Sequence, residues 1–92
     1  MAYAMVIDQA GLTMDDYEKV AALIGSDPIP GRLVHAVGAT DAGVRFIDVW
    51  ASREDARRFE QERLFPAFAQ HYGADIPRPA IAELDVTDLA LG

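Results

Sequence analysis

The chain has 92 residues, is 51% hydrophobic, contains no cysteine, and carries a net charge of −7 from 15 acidic and 8 basic side chains. That size fits one globular domain, and the missing cysteine removes both a disulfide framework and a thiolate metal site. The acidic balance argues against a non-specific nucleic-acid binder or an anionic membrane surface, since both need clustered Lys and Arg. No run nears the roughly 18 apolar residues of a membrane span, and "MAYAMVIDQAG" lacks the basic flank of a secretory signal. A soluble, cytoplasmic protein is expected.

In chain order, the apolar run from Tyr3 to Ile7 predicts a first strand, ended by Asp8 and Gly11. Thr13 then heads a helix, with Asp16 three positions on as a capping-box variant. Tyr17, Val20, Ala21 and Ile24 share one face of that helix, and Gly25 suits its stop. The prolines of "SDPIPG" make a turn-rich connection. Arg32 to Ala39 and Gly43 to Ala51 alternate as two strands of a hairpin. The "TDAG" between them places a glycine for a positive φ. Ser52 and Asp55 repeat the helix-start grammar, and Ala56 and Phe59 begin the buried stripe. Pro66 is expected to kink or restart this helix near Phe65 before it ends at about Tyr72. "GADIPRP" is a second turn-rich connection, Ile81 to Thr87 a last strand, and "DLALG" a tail.

This order is the split βαβ pattern of an α+β, ferredoxin-like βαββαβ fold. It implies a four-stranded antiparallel sheet with two helices on one face, one domain over residues 1–92. Alternation sorts the hairpin into two rows. Val34, Ala36, Ile47 and Val49 are assigned to the helix-facing layer. Leu33, His35, Val37, Phe46, Asp48 and Trp50 are assigned to the uncovered face. A face holding Trp50, Phe46 and Leu33 is too apolar for water, so a second copy is expected to cover it and enclose a cavity with a small polar cluster.

The segments "PGRLVHAVG" and "GVRFIDVWASREDARRFEQERLFPAF", together with the element order, resemble the dimeric α+β barrel superfamily, in particular small proteins of the antibiotic biosynthesis monooxygenase type. The resemblance covers nearly the whole chain. It implies a homodimer of face-to-face sheets and a pocket between each sheet and its helices or loops. Relatives include cofactor-free monooxygenases, haem-degrading enzymes, polyketide cyclases and members without known activity. The first two typically use an Asn on the first strand, and this chain has none. The haem degraders also use a Trp in the second helix, where Phe59 stands here, and a helix-end His near His71.

A hairpin centred on Asp41 and Ala42 sets His35 opposite Asp48, Val37 opposite Phe46, and Leu33 opposite Trp50. Directly opposed residues lie about 4.5–5.5 Å apart at Cβ. The carboxylate would orient the imidazole and leave its other nitrogen for a substrate, the base-and-orienter half of an acid–base site. The other reading is an internal hydrogen bond that satisfies two polar groups. Trp50, Phe46, Leu33, Tyr3 and Tyr17 are the candidate walls for a compact apolar or aromatic ligand, with Trp50 and Phe46 equally suited to core. No Ser or Cys is spaced as a nucleophile, and two histidines with scattered carboxylates make no metal site. No cofactor is expected. His71 suits a helix C-terminus. Arg45 and Arg63 are candidates for a dimer edge or a ligand acid. The function expected is binding of such a molecule, with proton transfer or cofactor-independent oxygenation by His35 and Asp48. The alternative is a non-catalytic binding or interaction module.

Overall fold

Two short polar side chains start the helices. Asp16 N–H donates to Thr13 Oγ1 at 3.1 Å, and Thr13 N–H donates back to Asp16 Oδ2 at 3.2 Å, a complete capping box. Asp55 N–H donates to Ser52 Oγ at 3.1 Å in the same way. The computed structural model describes residues 2–75 and 78–92. Its elements are β1 (Tyr3–Ala10), α1 (Met14–Ile24), β2 (Arg32–Ala39), β3 (Gly43–Trp50), α2 (Arg53–Phe59), a π-helical turn (Glu60–Leu64), α3 (Phe65–Tyr72) and β4 (Ala80–Asp85). The strands form one antiparallel sheet in the order β2-β3-β1-β4, the ferredoxin-like arrangement expected from the chain order. The connection expected over 73–79 includes residues 76 and 77, which lie outside the described residues.

Several elements differ from expectation. β1 continues past Ile7 to Ala10 because Asp8 finds a cross-strand partner in Arg45, which donates to it from Nε at 2.6 Å and Nη2 at 3.1 Å. β4 covers Ala80–Asp85 rather than reaching Thr87. Pro66 does not break the second helix. The preceding turn widens to π geometry, with Phe65 N–H donating to Glu60 O five residues back, and the helix runs on to Tyr72.

The row assignment is reversed. Trp50 is 2% exposed and packs on Phe59 of α2 with ring centroids 5.3 Å apart. Phe46 meets Tyr17 of α1 at 5.5 Å. His35, Phe46, Asp48 and Trp50 therefore face the helices, alongside Tyr3, Met5, Ile7 and Gln9 of β1. The open face carries the other row, with Val34, Ala36, Ile47 and Val49 joined by Ala4, Val6, Ala82 and Leu84. The large aromatics need the thicker layer between sheet and helices to bury their area, whereas the open row is small and aliphatic.

The pairing of Leu33 with Trp50 is also corrected. A register shift between Arg32 and Val34 leaves Leu33 as the extra residue of a bulge, so Arg32 pairs with Trp50. His35 still pairs with Asp48, and Val37 with Phe46.

Gly43 does not have a positive φ. Its role is close approach, because a Cβ there would lie 2.1 Å from the Gln9 carbonyl oxygen of β1. That neighbour is backbone and cannot swing aside. Gly43→Ala should therefore destabilise the fold by about 2–3 kcal/mol, read as a lower urea midpoint with an unchanged m-value.

Candidate functional site

A cavity of about 450 Å³ opens between the sheet and the helices. β1 supplies Met5, Ile7 and Gln9; the hairpin supplies Arg32, His35, Phe46 and Asp48; α1 supplies Tyr17 and Val20. The second helix closes it with Phe59, Glu60, Leu64 and Phe68. The volume falls in the range of small-molecule sites, and the walls are mainly apolar with a few polar groups converging. The π-helical turn lies along this wall and contributes Glu60 and Leu64.

His35 and Asp48 meet, with Nδ1 to Oδ1 at 2.5 Å and side-chain exposures of 25% and 11%. An ionised carboxylate only accepts, so Nδ1 carries the proton. The second ring nitrogen, Nε2, lies 3.0 Å from the Tyr17 hydroxyl. With a neutral ring, Tyr17 donates and Nε2 accepts. One polar chain thus runs from α1 through β2 to β3.

Burial raises the Tyr17 pKa, and the Asp48 charge adds to this against the opposing pull of Arg32. The Tyr17 hydroxyl therefore stays protonated at neutral pH and available as a donor.

The predicted wall residues separate. Phe46 and Tyr17 line the cavity. Trp50 and Tyr3 are core, at 2% and 0% exposure, and Leu33 is 45% exposed at the bulge; none of these three lines the cavity. Tyr3 instead donates to Glu83 Oε2 at 2.5 Å, beneath the Arg53 guanidinium 4.5 Å from its ring.

Arg45 is held by Asp8, and Arg63 donates to the carbonyls of Ile24, Asp27 and Pro28, closing the C-terminal end of α1. His71 is paired with Asp16 at 3.1 Å and does not line the cavity.

Sequence reasoning missed Gln9, Arg32 and Glu60 as lining residues. Gln9 was legible only if β1 continued beyond Asp8. Arg32 reaches the site because of the bulge, and Glu60 because of the π turn. Among the described residues no group of three His, Cys, Asp or Glu side chains could hold a metal.

No known family pattern matches the chain, and no curated protein does. Solved structures do. A protein of Chloroflexus aurantiacus J-10-fl classed with the antibiotic biosynthesis monooxygenases is 20% identical, with both chains covered over 100% and a TM-score of 0.67. A variant of SnoaB, a cofactor-independent oxygenase from Streptomyces nogalater, is 14% identical over 96% of this chain and 94% of that one, TM-score 0.61. The haem degrader MhuD from Mycobacterium tuberculosis, with two haems in its active site, is 20% identical over 100% of both chains, TM-score 0.53. The chain shares its fold with these proteins.

The site residues do not fit haem. His71 lies outside the cavity in a bond to Asp16, and both nitrogens of His35 are engaged within the chain.

Tyr3, Tyr17 and Tyr72 all have raised pKa values, with burial the largest cause in each case. The folded chain therefore holds phenolic protons that the unfolded chain releases sooner, near the usual value of about 10. Their contribution to stability is fully present below that pH and is lost as pH rises through the folded values. The urea midpoint should fall above about pH 10, and less steeply in Tyr17→Phe.

Proposed function

We propose that the cavity binds a compact, mostly apolar aromatic molecule and that His35 removes a proton from it. The carrying observation is the chain Tyr17–His35–Asp48 set into a mainly apolar cavity. Asp48 fixes the ring through Nδ1, while Nε2 faces the hydroxyl of Tyr17. A substrate that takes the place of that hydroxyl gives its proton to Nε2. Tyr17 is then free to donate to the oxyanion left on the substrate.

With an activated carbon acid such as a phenol or anthrone, the carbanion can react with dioxygen itself. Anthrone plus O₂ gives anthraquinone plus water: the ring CH₂ is oxidised to a carbonyl that takes one dioxygen atom, and the other atom leaves as water. The likeness in fold to SnoaB, described as a cofactor-independent oxygenase, supports this reading.

We also propose that a second copy covers the open sheet face. Ile47 and Leu84 are 44% and 56% exposed there in the single chain, on a row of small aliphatic side chains. The cavity lies on the opposite side of the sheet, so a dimer would shield the back of His35 and Asp48 rather than roof them.

A non-catalytic binding module is the second reading. It is favoured by the fact that both nitrogens of His35 are already satisfied within the chain.

Oxygen uptake with anthrone separates the two readings. His35→Gln should lower the rate by about 100-fold or more while the far-UV spectrum and oligomeric state stay unchanged; an unchanged rate would remove His35 as the base. Light scattering should report a dimer for the native chain and a monomer for Ile47→Glu.

A further inference from the structure

In a chain with 15 acidic side chains, one arginine that lines the cavity has no acid paired with it among the described residues. Arg32 stands at the start of β2, half-buried, opposite Trp50 in the ladder. Its guanidinium lies 5.9 Å from the Phe59 ring centroid, and among the described residues it makes no ion pair and no side-chain hydrogen bond. The five arginines of β3 and the second helix are all occupied. Arg45 holds Asp8, Arg53 holds Glu83 and Asp85, Arg57 holds Glu60, Arg58 holds Asp55, and Arg63 holds three carbonyls.

The acids around the cavity are also committed. Asp48 is bound to His35, and Glu60 to Arg57 at 2.6 Å. Arg32 therefore presents a fork of N–H donors, suited to two oxygens at once, to a space whose walls are otherwise mainly apolar. Its position follows from the bulge at Leu33, which turns residue 32 to the side of Trp50 and so toward the helices. Its charge also reaches Tyr17, lowering that hydroxyl's pKa against the effect of burial. Arg32 and the polar chain of Tyr17, His35 and Asp48 line the same cavity.

We infer that Arg32 is the anion-recognising residue of the cavity, and that the ligand is a flat aromatic molecule carrying an anionic oxygen group, of which an aromatic carboxylate is the simplest form. The ring packs among Phe46, Ile7 and Phe59, and the acid seats on Arg32. This rests on the reading of the cavity as a ligand site and does not depend on catalysis.

The test is calorimetric titration of the full chain with 1-naphthoate and with 1-naphthamide, which match in shape and differ in charge. Backbone NMR shifts at Tyr17, Phe46 and Ile7 locate the binding. The native chain should prefer the naphthoate by about tenfold or more, as a charge-assisted pair in a partly dry site would give. Arg32→Gln should erase the preference while leaving naphthamide affinity within about threefold, which also reports that the cavity is intact. Arg32→Lys should keep part of the preference, since it retains the charge but not the fork.

Equal affinity of the native chain for the two probes would overturn the assignment while leaving the cavity a ligand site. Binding of neither, or shifts confined to the open sheet face, would overturn both. The comparison on the native chain stands even if a variant fails to fold.

Discussion

An imidazole and a carboxylate opposed on neighbouring strands, on the face that the helices cover, set the terms for the rest of this molecule. The buried Asp48 carboxylate is costly to leave alone, and the His35 ring satisfies it at 2.5 Å. Removing the imidazole leaves the buried Asp48 carboxylate without that hydrogen bond, a loss of about 1–3 kcal/mol. The pair fixes the hairpin register, since a one-residue slip would send the two groups to opposite faces. It also gives an apolar space its polar floor, and Tyr17 extends that floor to α1.

The surrounding architecture protects this arrangement from two sides. Trp50 and Tyr3 fill the end of the sheet–helix layer beside Ala56, and Phe59 packs against that cluster while also lining the cavity. At the outer edge of the sheet, β4 is exposed along its whole length and is tied to the second helix through Glu83, which meets Tyr3, Arg53 and Arg57. Arg63 fastens the second helix to the end of α1 through three carbonyls. The cavity walls are thus held by contacts that lie outside the cavity.

Much of this was legible from the residues. The element order follows from alternation, caps and prolines, and the pairing of His35 with Asp48 follows from loop length and a period of two. Which row faces the helices was not legible, because both rows are apolar and alternation gives relative facing only. Side-chain size decided it: Trp50 and Phe46 need depth that only the helix layer provides, whereas Ile47 and Val49 do not. The bulge at Leu33 has no sequence signature here, and it carries Arg32 into the site. Pro66 did announce a disturbance, but the proline alone does not say whether the chain breaks or widens into a π turn as it does here. The imidazole–carboxylate meeting was expected under a second copy of the chain, and it lies under the chain's own helices.

The most direct check is the proton between the two strands. Nitrogen-15 NMR of the histidine rings should show His35 with its proton on Nδ1. That proton should resonate far downfield of the amide envelope and disappear from there in Asp48→Asn. A ring protonated on Nε2 alone, or a resonance indifferent to residue 48, would contradict the pairing on which this account depends.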